Sequence, residues 1–298
     1  MRGRITLALV FSLVFTQTAQ ASHPDISAAS VKPIELSQIA TKARIVALAN
    51  GSAEIVSALG MRSALVGRDI ASTAPELVQV PIVTSGHQVI AEKVISLKPT
   101  LVLIDSNVGP QSAIDLIKSA KLKVVIIPQA WNIQDIYPKI DQIGKAIGLQ
   151  KEANLLISKM KKAILKARVS IGWNPKIAFL YLRGTSAIYL IGGPGSGADS
   201  LVSEFGGVDV GAKTLKNPFN TLTSEALIKA NPDVILLMTN GLKSVGGENG
   251  LFKLPGISQT SAGRSKRILS VDDSLLLSFG PRTPALLIKM AEALQDMK

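Results

Sequence analysis

Gly51-Ser52-Ala53-Glu54-Ile55-Val56-Ser57-Ala58-Leu59-Gly60 aligns without a gap on Gly197-Ala198-Asp199-Ser200-Leu201-Val202-Ser203-Glu204-Phe205-Gly206. Each copy follows an apolar, strand-like run, Ile45 to Ala49 in one case and Ile188 to Ile191 in the other. Each reads as a glycine turn, a helix and a glycine stop. A second echo sets Ala91-Glu92-Lys93-Val94-Ile95-Ser96-Leu97-Lys98-Pro99-Thr100-Leu101-Val102-Leu103-Ile104 on Ser224-Glu225-Ala226-Leu227-Ile228-Lys229-Ala230-Asn231-Pro232-Asp233-Val234-Ile235-Leu236-Leu237. Here proline halts a short helix and a continuous apolar strand follows. Apolar strands alternating with helices specify an α/β fold whose mainly parallel sheets are covered on both faces. The chain is written twice.

Between the copies, Leu149 to Val169 carries Ala, Leu, Lys, Glu and Ile at helical spacing, without Gly or Pro. It starts after Gly148 and ends before Gly172 and Pro175, and it reads as a strut, since a flexible linker would be rich in Gly and Ser. The expected organisation is a signal peptide over 1–21, an N-terminal extension over 22–43, a first lobe over 44–148, a connecting helix over 149–170 and a second lobe over 171–298. Two similar Rossmann-like lobes on one rigid helix leave a single cleft. Ligands of such sheets sit beyond the carboxyl ends of the strands, which here face that cleft.

The start of the chain points to export. Arg2 and Arg4 precede the apolar run Ile5 to Phe15, and Ala19-Gln20-Ala21 supplies a small-residue cleavage site, so the mature chain is expected to begin near Ser22. The run is too short to span a bilayer comfortably. The chain has no cysteine, which excludes disulfides, thiolate metal sites, cysteine nucleophiles and a lipid-modified N-terminal cysteine. The formal charge is +12, two fewer without Arg2 and Arg4. Such a surface could meet nucleic acid, anionic lipid, wall polymers or an acidic ligand. Export argues against nucleic acid, and aromatic residues are too few for a stacking platform.

Only two histidines occur, His23 beside the cleavage site and His87 in Val83-Thr84-Ser85-Gly86-His87-Gln88. His87 falls between a strand ending near Thr84 and a helix beginning near Ile90, where a cleft residue would sit, and a neutral imidazole is an ordinary iron ligand. In the second half, Tyr181-Leu182-Arg183 ends a strand expected over Ile177 to Arg183. Residues i and i+2 share one face of a strand, so Arg183 is set to stabilise a Tyr181 phenolate. Tyr189 has no such cation in its strand and reads as core or rim.

Other chemistries find little support. Gly192-Gly193-Pro194-Gly195-Ser196-Gly197 lacks the Gly-Lys-Ser/Thr of a nucleotide loop and reads as a tight turn into a helix at the cleft floor. There is no His-Glu-x-x-His, and Ser85 beside His87 is no triad. A bare-metal carrier would need several His, Asp or Glu ligands, and this chain has one histidine to give.

The element order, the strut and the phrases Glu92-Lys93-Val94-Ile95-Ser96-Leu97-Lys98-Pro99 and Leu222-Thr223-Ser224-Glu225-Ala226-Leu227 resemble helical-backbone, class III (TroA-like) substrate-binding proteins of ABC importers. More narrowly, Gly192 to Leu201, Gly206-Gly207-Val208-Asp209-Val210 and Phe279-Gly280-Pro281-Arg282-Thr283-Pro284 are similar to the haem-binding HmuT-type branch. The resemblance runs from about Arg44 to the C-terminus. Many members of that branch have tyrosine where this chain has His87. The pair Gly86-His87-Gln88 and Tyr181-Leu182-Arg183 resembles an actinobacterial-like subgroup that uses one histidine and one tyrosine.

The resemblance implies a non-enzymatic, exported, monomeric receptor. It would carry ferric haem b between His87 and Tyr181 and deliver it to an ABC permease and its ATPase, peripheral to the membrane. Arg183, Arg282 and Arg68 are then candidate partners of the haem propionates, which favour cationic groups. Glu76 and Glu204 are candidate contacts to permease arginines. The rival readings are a ferric-siderophore or corrinoid receptor of the same fold, an extracytoplasmic cleft hydrolase, and a wall-associated structural protein.

Overall fold

The computed structural model describes residues 23–298 apart from His87 and residues 169–170, so the expected signal peptide lies outside the described residues. An N-terminal strand, β1 (Asp25–Ile26), comes first. There follow β2 (Ile45–Ala47), β3 (Leu65–Arg68), the short pair β4 (Thr84–Ser85) and β5 (Gln88–Val89), β6 (Leu101–Ile104) and β7 (Val124–Ile126). Beyond the connecting helix come β8 (Lys176–Arg183), β9 (Ile188–Gly192), β10 (Val208–Asp209), β11 (Phe219–Thr221), β12 (Val234–Met238) and β13 (Ile268–Val271).

The main sheet of the first lobe is wholly parallel, in the order β3-β2-β6-β7, with β4 and β5 as a separate pair. The second runs β1-β13-β12-β8-β9-β11. Its β1-β13-β12-β8 part is parallel, whereas β9 runs antiparallel to both β8 and β11. The reason is local: only Gly184 to Ala187 separate β8 from β9, and a parallel return needs a crossover of a dozen residues or more. The repeat therefore shares its turn and helix between the lobes, but not the direction of the strand before them.

Its glycines explain why it is legible. Gly51 and Gly197 precede the two helices with φ of 69° and 93°, and Gly60 and Gly206 follow with 87° and 80°. All four lie in the left-handed region that favours glycine. At Gly60 a Cβ would also come within 2.2 Å of the Ser37 carbonyl oxygen, which binds the N-terminal extension to the first lobe.

The connecting helix spans Gln150–Ala167 and follows the helix Ile136–Ile147 across Gly148. It buries Ala153, Leu156, Met160, Ile164 and Ala167 at helical spacing. These residues belong to one apolar cluster that includes Ile45, Ile55 and Leu103 of the first lobe and Phe179, Leu236 and Leu286 of the second. Two further clusters cover the outer sheet faces, one around Val46 and Val102, the other around Leu180 and Leu237. The lobes thus share a continuous core.

The extension ties them again. β1 extends the second sheet, the Ile34 amide donates to Pro281 O (3.1 Å), and Leu36 and Ile39 donate to Ala58 and Gly60 of the first lobe. His23 reaches Glu248 and lies 3.1 Å from Ser270 Oγ, which fastens the beginning of the described chain to the second lobe. Among the described residues no helix is long and apolar enough to cross a membrane.

Candidate functional site

The carboxyl ends of the strands converge on an interlobe cleft of about 450 Å³, within the roughly 300–1,000 Å³ of small-molecule sites. Leu48 follows β2, Asp69 and Ile70 follow β3, and Asp105 follows β6 on one wall. Facing them are Tyr181 and Arg183 at the end of β8, Met238 at the end of β12, and Asp272 after β13. This is where an open α/β sheet presents its ligand.

Tyr181 and Arg183 meet as their spacing requires. The guanidinium carbon of Arg183 lies 4.6 Å from the centre of the Tyr181 ring, and the ring packs edge-on against Phe219 at 5.5 Å. Arg183 also donates to Leu182 O (2.8 Å) and to Asp273 Oδ2 (3.0 Å). A cation over an aromatic face contributes about 0.5–1 kcal/mol at a partly exposed site. Tyr189 points to the other face of the hairpin and packs on the outer cluster around Leu180.

His87 lies outside the described residues. Its surroundings are described: β4 and β5 pair antiparallel, with Ser85 opposite Gln88, so a hairpin stands where a plain loop was expected. Gly86, Thr84 and Val89 of that hairpin line the cleft. The Val89 amide fixes the hairpin to Gly109 O at 2.8 Å.

Two arginines expected at the mouth lie elsewhere. Arg282 is 1% exposed and donates through Nε to Glu54 Oε2 (2.9 Å), through Nη2 to Glu54 Oε1, and to Ser274 Oγ (3.1 Å). Burial pushes the Glu54 carboxyl above its ordinary value while Arg282 pulls it down. Arg68 is 6% exposed and donates to Leu77 O (3.0 Å) and Asp69 O (3.1 Å), bracing the loop that follows its strand. Neither lines the cleft. A buried guanidinium must spend its donors on fixed acceptors, and these acceptors are long-range or main-chain, invisible to a reading along the chain.

The lining is instead acidic. Asp69, Asp105, Asp272 and Asp273 line the cleft with Arg183 as the cation among the described lining residues. Asp105 accepts from the Asn50 and Asn107 amides (3.0 and 2.8 Å), and Asp69 from the Ser72 amide (2.7 Å). Burial holds the Asp69 carboxyl above its ordinary value. Among the described residues no group of three or more His, Asp or Glu could hold a bare metal ion. The sequence reading missed these aspartates, whose signal was position: Asp69 and Asp105 directly follow apolar strands.

Lys139 was missed as well. It is 1% exposed and carries its amine from the first lobe to Ser278 O of the second (3.0 Å). Burial pushes that amine down to about 8 from 10.5. The unfolded chain therefore holds the extra proton between those values, so stability rises as pH climbs from about 8 to about 10.5. Below that window the buried charge costs about 3 kcal/mol. Lys139→Met is expected to flatten this rise, read as the urea midpoint of both proteins at neutral pH and near pH 10.

The remaining expected residues are placed as follows. Glu76 sits half-buried in the single turn Pro75–Leu77. Glu204 ends the helix Ala198–Glu204 and is taken up by Arg168, with Nη2 at 3.2 Å from Oε1. The glycine-rich loop does not line the cleft. Its Gly195 and Gly197 amides donate to the Asp199 carboxylate (2.8 and 3.0 Å), so the aspartate fills the place where a phosphate would bind.

Two α/β lobes share a core and open a cleft at their strand ends, the place where open α/β sheets bind ligands. Residues 45–275 match the periplasmic binding protein family, and the chain belongs to that family of ABC-transporter substrate-binding proteins, which are not enzymes. An uncharacterized ABC transporter substrate-binding lipoprotein, YvrC of Bacillus subtilis (strain 168), is 31% identical over 84% of this chain and 79% of its own. The haem-binding protein RhuT of Roseiflexus sp. RS-1, solved in apo form, is 34% identical, with a TM-score of 0.81, over 86% of this chain and 99% of that one. The haem-binding protein HmuT is 32% identical, with a TM-score of 0.79, over 93% of each chain. Similar structures of HmuT variants have alanine for one histidine, one tyrosine and one arginine, the latter two separated by one residue.

Proposed function

We propose that this protein is the exported haem receptor of an ABC importer. It holds ferric haem b in the interlobe cleft, with Tyr181 as one axial ligand, His87 as the other and Arg183 sustaining the phenolate. The observation that carries this reading is the Tyr181–Arg183 pair, stacked at 4.6 Å on the wall of a cleft that Gly86, next to His87, also lines. An anionic phenolate is the better ligand for ferric iron, and an adjacent fixed cation favours that form. The likeness to RhuT and HmuT, and the same tyrosine-to-arginine spacing in the HmuT variants, support the ligand assignment. They also support the histidine-and-tyrosine subgroup over a tyrosine-only site.

The acidic lining changes one part of the expectation. With Arg68 and Arg282 committed elsewhere, iron ligation and burial of the porphyrin faces carry the affinity, and Arg183 is the basic group of the described lining. Export follows cleavage near Ala21 and leaves the receptor in the periplasm or at the outer face of the cytoplasmic membrane, peripheral to it and monomeric. Its partners are the permease and the permease's ATPase. Glu76 is the freer docking residue, and Glu204 would exchange Arg168 for a permease arginine.

Titration of the purified protein with ferric haem is expected to give a saturable Soret shift and a phenolate-to-iron charge-transfer band. A ferric siderophore or a corrinoid should leave its tryptophan emission unchanged. Quenching by a ferric chelate together with an unchanged haem spectrum would instead identify a siderophore receptor.

A further inference from the structure

Arg183 is held by a carboxylate from far along the chain, and we infer that this residue, Asp273, is the positioning residue that fixes the guanidinium over the tyrosine ring. The inference rests on the haem reading above and goes beyond the two axial ligands. Asp273 comes directly after Asp272 and opens the helix Asp273–Ser278. Its two carboxylate oxygens are divided between the two neighbours it joins. Oδ2 accepts from Arg183 Nη2 at 3.0 Å, and Oδ1 accepts from the Asn240 amide at 3.0 Å. The second bond anchors the carboxylate to the helix Thr239–Ser244, so the acceptor presented to Arg183 does not swing.

The arginine is thus fixed at two corners, by Asp273 and by Leu182 O at 2.8 Å. Gly241 leaves room for it. A Cβ there would lie 3.1 Å from Leu182 O and 3.6 Å from Arg183 Nη1. A long arginine side chain has several rotatable bonds, and a planar fork bound at two points loses that freedom before ligand arrives. Without Asp273 the guanidinium keeps the Leu182 carbonyl as an acceptor and can swing away from the ring that must present the phenolate. Partners one shell out from a metal ligand commonly change affinity by about 10–100-fold.

The test is a double-mutant cycle on the haem complex, read by the position of the charge-transfer band and by the rate of haem transfer to an apo-haem protein. Asp273→Ala is expected to shift the band and speed transfer about tenfold. Arg183→Ala should do the same, and the double variant should add nothing further. Asp273→Asn keeps the side-chain volume and an acceptor for the Asn240 amide, and it should move both readouts in the same direction. Thermal melts of each apo variant report folding separately. An Asp273→Ala effect of equal size with and without Arg183, or none at all in Asp273→Asn and Asp273→Ala alike, overturns the inference. If the wild type and Tyr181→Phe bind haem with identical spectra, the axial-ligand reading fails first and this inference with it. If they differ as expected while both Asp273 variants are silent, only the inference fails.

Discussion

Replacing Tyr181 with phenylalanine is expected to abolish the charge-transfer band of the ferric haem complex and to weaken binding by roughly 100-fold or more. The substitution removes one oxygen and little else. The ring still packs edge-on against Phe219 and still lies beneath the Arg183 guanidinium, because neither contact uses the hydroxyl. The apo protein should therefore melt within a few degrees of the wild type. Affinity is read by haem transfer and stability by calorimetry, and the account requires the two to separate. A large loss of both would mean that Tyr181 serves the fold more than the ligand.

The second large effect belongs to the buried interlobe pair. Glu54 and Arg282 are 2% and 1% exposed, and each is the other's charge partner. Glu54 lies on the helix Ser52–Val56 of the first lobe, and Arg282 precedes the helix Thr283–Asp296 of the second. Removing one partner strands a charge inside the shared core, which costs about 3–5 kcal/mol. Glu54→Ala is expected to lower the melting temperature by about 10 °C at this chain length. Arg282→Leu should do likewise, since it leaves a buried carboxylate that burial already pushes upward. Replacing both residues with leucine and methionine should recover much of the loss, because two apolar groups leave nothing unpaired. If the double variant is as unstable as the sum of the singles, the pair is not a coupled unit.

That pair also shows where reading along the chain stops. The fold was legible because its punctuation is local: glycines with left-handed backbone at both ends of the repeat, and a proline after each short helix. The strut was legible because an 18-residue helix buries a face at fixed spacing. The antiparallel β9 was hidden by the repeat, although the four residues between β8 and β9 carried the contrary signal. Among the candidate site residues, Tyr181 and Arg183 come together in the structure because positions i and i+2 share a strand face. Arg282 and Arg68 were misplaced because an arginine's role depends on its acceptor. For Arg282 that acceptor lies 228 residues away. Asp273 was overlooked for the same reason, since it lies 90 positions along the chain from Arg183.

The acidic lining gives the site a different character from the arginine-rich mouth that the family resemblance implies. The net charge is +12, yet the described cleft wall carries four aspartates and one arginine. Positive charge on this protein therefore lies mostly away from the described cleft wall. The affinity of the account rests on a phenolate, an imidazole and apolar burial, with Arg183 held ready by Asp273.

Resonance Raman spectroscopy of the ferric haem complex, excited in the charge-transfer band, tests that claim most directly. The account predicts iron-phenolate modes in the wild type and in His87→Ala, and their loss in Tyr181→Phe. Phenolate modes that persist in Tyr181→Phe, or a wild-type spectrum without them, would contradict it.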